Sequence, residues 1–227
     1  MLDVRGKTIL ERQVESLQAA GIRDVTIVRG YKKEQVRVAG ARLVDNDRFR
    51  ETGELYSLFR AEDVLAGPVV VLYGDIVFEQ SVLERLLRAT ADVAVVVDRS
   101  YPDLLRAGHA PSGPDLVVTD TPPNGRRFVA PEGGSRVLRI GPEVTPDEAH
   151  GEFIGLTALS KAAAARLRAV HAELAAQRAE GLERASLTHI LQALIARGEP
   201  VMAVEIHKGW MEIESFDDYR RAWREVQ

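Results

Sequence analysis

Pro68-Val69-Val70-Val71-Leu72-Tyr73-Gly74-Asp75-Ile76 is the stretch on which the reading of the fold turns. Four consecutive large aliphatic side chains, with no alternation of polar and apolar, predict a strand apolar on both faces, as a central parallel strand covered by helices requires. The strand runs into Gly74-Asp75, and in open α/β sheets ligands sit beyond the carboxyl ends of strands. Gly74 lets backbone approach a ligand, and Asp75 points a carboxylate at it. The plainer reading, Asp75 as the cap of the next turn, stays open on this stretch alone.

Upstream, Thr8-Ile-Leu-Glu11 has capping-box spacing and predicts a helix in which Leu10, Val14, Leu17 and Ile22 recur at helical intervals, with Gly21 as its stop. Asp24 to Val28 reads as a strand, Lys32 to Val36 as a short helix, Arg42 to Asp45 as a strand, and Gly53 to Leu65 as a helix. Downstream come a helix over 81–89 that buries Val82, Leu83, Leu86 and Leu87, then an apolar strand over 92–98. This alternation predicts an α/β, doubly wound architecture. Residues 99–150, crowded with Pro and Gly and carrying short strand-like pieces at 116–119 and 136–140, read as a lid or insertion. A strand from Gly151, helices over 161–179 and 187–197, a strand over 201–206 and a helix over 216–226 complete one domain spanning 1–227.

The 227 residues carry 30 Lys and Arg against 34 Asp and Glu, a net charge of -4, which argues against a general nucleic-acid binder. With no cysteine, disulfides, thiolate metal sites and Cys nucleophiles are excluded. The apolar runs are too short to cross a bilayer and the first residues lack a signal-peptide layout, so a cytoplasmic protein with no membrane partner is expected. Phosphate loop, dinucleotide fingerprint, nucleophile elbow and His-Glu-x-x-His motifs are all absent, and the five histidines lack ligand spacing.

A second acidic group follows the last strand, in Gly209-Trp-Met-Glu212-Ile-Glu214-Ser-Phe-Asp-Asp218. Extended backbone would send Glu212 and Glu214 to one side. Carboxylates from two strand ends are the usual protein share of a Mg²⁺ site, phosphate oxygens and water supplying the rest, although an acidic loop capped by Ser215 or Asp217 is an equal reading. Asn46 through Glu54 and Ser57 joins turn residues to a helix start, suited to a ribose, base edge or phosphate and equally to a plain polar loop. Glu152 offers a carboxylate for a cationic head or hydroxyl, or a solvated face. Lys208, just before the acidic stretch, is grouped with Glu152 as substrate-facing. Arg29, Lys32 and Lys33 suit a phosphate or a solvated surface.

Taken in order, Leu2-Asp-Val-Arg-Gly-Lys-Thr-Ile-Leu-Glu-Arg-Gln, Ala20-Gly-Ile-Arg-Asp-Val-Thr-Ile-Val-Arg-Gly-Tyr-Lys-Lys-Glu, Asn46, Glu54-Leu-Tyr-Ser-Leu, Tyr73-Gly-Asp-Ile and Trp210-Met-Glu-Ile-Glu give a chain that resembles the nucleotidyltransferase family nearly end to end. It is most similar there to cytidylyltransferases acting on phosphocholine or small phosphonates, including the type associated with phosphoenolpyruvate mutase. The resemblance implies a Rossmann-like mixed sheet and transfer of CMP from CTP to a phosphate or phosphonate oxygen, with release of pyrophosphate. It implies Asp75 as catalytic metal aspartate, Glu212 or Glu214 as second Mg²⁺ ligand, Asn46, Glu54, Ser57 and Gly74 beside the nucleotide, and Glu152 facing the acceptor. The family's first strand and Ala-Ala-Gly-x-Gly-x-Arg loop have no counterpart ahead of Leu2, which implies that Met1 is internal to a longer parent and that the printed chain is impaired. A non-catalytic nucleotide-binding or assembly module and a sugar-1-phosphate nucleotidyltransferase are the alternatives, and a homo-oligomer or fusion parent stays open.

Overall fold

The computed structural model describes residues 2–106, 113–123 and 134–225. His109 and two segments of the expected lid, 107–112 and 124–133, thus lie outside the described residues. The chain opens with the two-residue strands β1 (Asp3–Val4) and β2 (Lys7–Thr8), followed by α1 (Ile9–Ala19). Thr8 caps α1 as its spacing predicts: Glu11 N donates to Thr8 Oγ1 at 3.2 Å and Thr8 N donates to Glu11 Oε2 at 2.8 Å. Next come β3 (Val25–Arg29), a 3₁₀ turn over Lys33–Gln35, β4 (Ala41–Asp45) and α2 (Glu54–Arg60), which breaks at Ala61 into a 3₁₀ turn, Glu62–Ala66.

β5 (Val69–Leu72), β6 (Ile76–Phe78), α3 (Gln80–Leu87), β7 (Val93–Asp98) and α4 (Tyr101–Arg106) follow. Then come β8 (Leu116–Thr119), β9 (Ser135–Ile140), β10 (Gly151–Leu159), α5 (Lys161–Ala176), α6 (Leu187–Ala196), β11 (Val201–Ile206), β12 (Trp210–Glu212) and α7 (Phe216–Glu225). The main sheet runs β5-β10-β7-β11-β9-β8 and is mixed: β7 and β11 are parallel, and the remaining neighbours are antiparallel. Both short strands of the expected lid, β8 and β9, hydrogen-bond into this sheet. Among the described residues no helix is long and apolar enough to cross a membrane.

One expectation is corrected. β5 is not a central parallel strand; it is the last strand in the six-strand order and, among the described residues, pairs only with antiparallel β10. Its apolar character on both faces has another cause: Val69 and Val71 pack into the cluster under α5 and α6, while Val70 and Leu72 pack into the cluster under α3. The central strand is β7, whose six residues are all buried. Leu87, expected inside, lies exposed at the end of α3, past the buried Val82-Leu83-Leu86 stripe.

A separate antiparallel ribbon matters most for function. β12 pairs with β6 so that Glu212 stands opposite Ile76, and Ile213 N donates to the Asp75 carbonyl at 3.0 Å. A chain separation of more than 130 residues closes there.

Candidate active site

That ribbon sets Asp75 beside Glu212. Ile76 on β6 and Ile213, one residue past β12, are buried in separate clusters, which fixes the register because a one-residue slip would expose both. Gln13 secures the approach: its Nε2 donates to the carbonyls of Tyr73 and Ile76, 2.8 Å each, clamping the turn that presents Asp75. Gly74 has open space where a Cβ would stand, leaving room for a ligand against the backbone. Tyr73 leans on Gly155, where a Cβ would meet the ring at 2.4 Å, so the glycine in the β10 bulge makes room for it.

Replacing Gln13 by Met removes the only side-chain donor to these two carbonyls among the described residues. The variant is expected to lose about 1–3 kcal/mol, the cost of leaving buried acceptors unpaired. Urea unfolding measures it, and a loss below about 0.5 kcal/mol would show that water satisfies the turn equally well.

The electrostatics of the cleft are one-sided. Burial and the nearby Asp75, Glu214, Asp115 and Asp218 charges push the Glu212 carboxyl up to about 7. Burial also raises Asp75, although water reaches it, and raises Asp115. Asp115 accepts from Thr188 Oγ1 at 3.2 Å and, more loosely, from the Tyr73 hydroxyl at 3.4 Å. Glu152 is 4% exposed and has no hydrogen bond or ion pair among the described residues; burial first, then Asp98, Glu212 and Asp115, push its carboxyl up to about 8. Among the described residues no Lys or Arg pairs with Asp75, Asp115, Glu152 or Glu212, whereas acids elsewhere are commonly bridged. Such a set suits a hard divalent cation and a cationic ligand. No three Asp, Glu, His or Cys side chains among the described residues form a group that could hold a metal ion by themselves.

Glu152 makes a pH prediction. Its carboxyl stays protonated in the folded state at pH values where the unfolded chain has released the proton, so stability falls as pH rises from about 4.5 to about 8. Glu152→Gln is expected to match wild type near pH 4 and to exceed it by a few kcal/mol above pH 8. Thermal unfolding across pH checks this; a constant difference would contradict it.

The other expected site residues are distributed unevenly. Asn46 is 2% exposed and spent internally: Nδ2 donates to Thr52 Oγ1 at 3.1 Å and Ser57 Oγ at 3.0 Å, and Oδ1 accepts from Arg48 N. Ser57 Oγ donates to the Gly53 carbonyl, so these two side chains shape the loop before α2. Glu54 is exposed at the helix start, close enough to raise both Tyr73 and Asp115. Lys208 is exposed at φ 65°, with no ion pair among the described residues. Glu214 is exposed, one residue past buried Ile213. Arg29 and Lys33 are paired with Asp45 and Asp47 rather than free for phosphate. Sequence reasoning missed Gln13, Asp98 and Asp115. Gln13 left a signal, a polar residue between Ile9 and Leu17 in a four-residue apolar repeat; Asp115, in a Gly-Pro-rich stretch, left none.

Comparison with known proteins fits this geometry. CTP:phosphoglutamine cytidylyltransferase of Campylobacter jejuni is 25% identical over 233 residues, covering 96% of this chain and 88% of that protein. Choline-phosphate cytidylyltransferase of Streptococcus pneumoniae is 33% identical over 94 residues, 40% of this chain and 41% of that protein. The solved CTP:phosphocholine cytidylyltransferase from Streptococcus pneumoniae shares the fold at a TM-score of 0.65 and 20% identity, covering 99% of this chain and 88% of that one. Residues 1–204, which include Asp75 and the whole six-stranded sheet but for the last two residues of β11, match the model of one family: the chain belongs to the MobA-like NTP transferase domain family.

Proposed function

We propose that the chain transfers the cytidylyl group of CTP to an oxygen of a small phosphate- or phosphonate-bearing acceptor that also carries a cationic group. The observation that carries this reading is the meeting of Asp75 and Glu212 at the β6–β12 ribbon, beside a glycine with open space, with no Lys or Arg among the described residues paired to either. The acceptor oxygen attacks the α-phosphorus, a new P–O bond forms, the bond to the β-phosphate oxygen breaks, and pyrophosphate leaves. Mg²⁺, when bound, supplies charge neutralisation and Lewis acidity at the phosphates. Asp75 and Glu212 would hold it, with Glu214 the next carboxylate along the chain.

The remaining residues bind and orient. Gly74 lets the triphosphate side approach the backbone, and the Asn46–Ser57 network fixes the loop that leads into Glu54. Glu152, buried without a partner, takes the acceptor's cationic group, and Lys208 meets its phosphate. The relatives named for phosphoglutamine and choline phosphate support an acceptor of this kind. A reaction that consumes CTP suits a cytoplasmic protein.

The test is pyrophosphate release from CTP and Mg²⁺ with a panel of phosphocholine, aminoalkylphosphonates and sugar 1-phosphates. Release with the amine-bearing acceptors is expected. Release with sugar 1-phosphates only, or CTP binding with no release on any acceptor, would contradict the reading.

A further inference from the structure

Asp98 closes β7 with a carboxylate that is 4% exposed in an otherwise aliphatic strand. Its two oxygens accept four hydrogen bonds from the described residues. Oδ1 accepts from Ser100 N at 2.8 Å and from Lys208 N at 3.0 Å; Oδ2 accepts from Ser100 Oγ at 2.8 Å and from the Trp210 indole Nε1 at 2.8 Å. Two donors belong to its own turn. The other two belong to the crossing from β11 to β12, more than 100 residues away, where Lys208 and Gly209 both adopt left-handed backbone (φ 65° and 86°). A non-glycine residue rarely holds that conformation without a fixed partner, and the Lys208 amide has one in Asp98. The crossing leads directly into Trp210-Met211-Glu212, so the carboxylate at the end of the central strand dictates where Glu212 begins its approach to Asp75. Asp98 also stands opposite Glu152 in the β7–β10 register. One buried group therefore borders both the acceptor carboxyl and the loop of the metal carboxyl.

We propose that Asp98 is a positioning residue: through the Lys208 amide and the Trp210 indole it fixes Glu212 relative to Asp75 and so sets the affinity of that pair for a divalent cation. This rests on the functional reading above. Asp98→Asn keeps the shape and one acceptor oxygen for the Ser100 and Lys208 amides, and places its NH₂ against the Ser100 hydroxyl, which can accept, and the Trp210 indole N–H, which cannot, so the tie to Trp210 breaks.

The experiment uses the whole chain and Mn²⁺ as the probe, followed by electron paramagnetic resonance with and without CTP. Asp98→Asn is expected to weaken Mn²⁺ binding by about 10-fold or more, the scale on which groups behind a metal ligand act. Trp210→Phe, which removes the same tie, is expected to weaken it to a similar degree, and the double variant no more than either alone. The Trp210 indole N–H resonance, identified by its loss in Trp210→Phe, is expected to move in Asp98→Asn. Should Asp98→Asn fail to fold, Trp210→Phe decides on its own: unchanged Mn²⁺ affinity overturns the proposal. It is equally overturned if folded Asp98→Asn binds Mn²⁺ as wild type does, or if the two losses multiply in the double variant. Absence of pyrophosphate release from wild type, with these Mn²⁺ differences present, would instead overturn the functional reading and leave the positioning role standing.

Discussion

An Asp75→Asn chain is expected to fold as wild type does and to release pyrophosphate from CTP at least about 100-fold more slowly, a loss of roughly 3 kcal/mol in transition-state stabilisation. The two halves of that result have separate causes. Asp75 is water-accessible, bridges to no cation among the described residues, and its carboxyl is raised by burial, so removing its charge relieves the folded state rather than straining it. Asn preserves shape and the backbone bond from Ile213 N to the residue 75 carbonyl, so the ribbon register survives. What Asn cannot supply is a negative oxygen beside Glu212. Turnover against pyrophosphate, read beside a thermal melt, separates the effects; an unfolded variant, or one with near-normal turnover, contradicts the assignment.

Arg99→Met is expected to destabilise the chain by about 3–5 kcal/mol, because it leaves the Glu205 carboxylate buried without its counter-charge. Both side chains are essentially sealed, at 3% and 2% exposure. Arg99 also donates to Thr119 Oγ1 at 3.0 Å, the Thr121 carbonyl at 3.2 Å and the His150 carbonyl at 3.1 Å, while Ser135 Oγ donates to Glu205. The pair thereby ties β7, β8, β9 and β11 together where the 116–140 segment joins the sheet. Replacing both members, Arg99→Met with Glu205→Met, is expected to recover most of the loss, since an apolar pair carries no desolvation cost. Urea unfolding of the single and double variants measures this; Arg99→Met within about 1 kcal/mol of wild type would contradict it.

Much of this molecule was legible from its sequence, and the illegible part has a physical pattern. The Thr8–Glu11 box placed the start of α1, and the unbroken apolar run at 93–97 marked the strand that lies buried at the middle of the sheet. Val69–Leu72 misled because an apolar run reports that both faces are covered, not how many edges are paired or in which direction. The meeting of Asp75 with Glu212 was expected from two strand ends, yet the three-residue strand that accomplishes it is too short for periodicity to reveal. Asn46 and Ser57 carried the right chemistry for a ligand, and the fold spends their side chains on each other. Buried polar groups such as Asp98, Arg99 and Glu205 look like surface residues in a composition; only their partners, contributed from distant segments, explain why they are inside.

The central claim is that Asp75 and Glu212 act together on one divalent cation. Isothermal titration of Mn²⁺ in the presence of CTP tests it most directly, comparing wild type with Asp75→Asn, Glu212→Gln and the double variant. The account predicts one site in wild type, lost to a similar degree in either single variant and no further in the double. Undiminished Mn²⁺ binding by Asp75→Asn, or by Glu212→Gln, would contradict it.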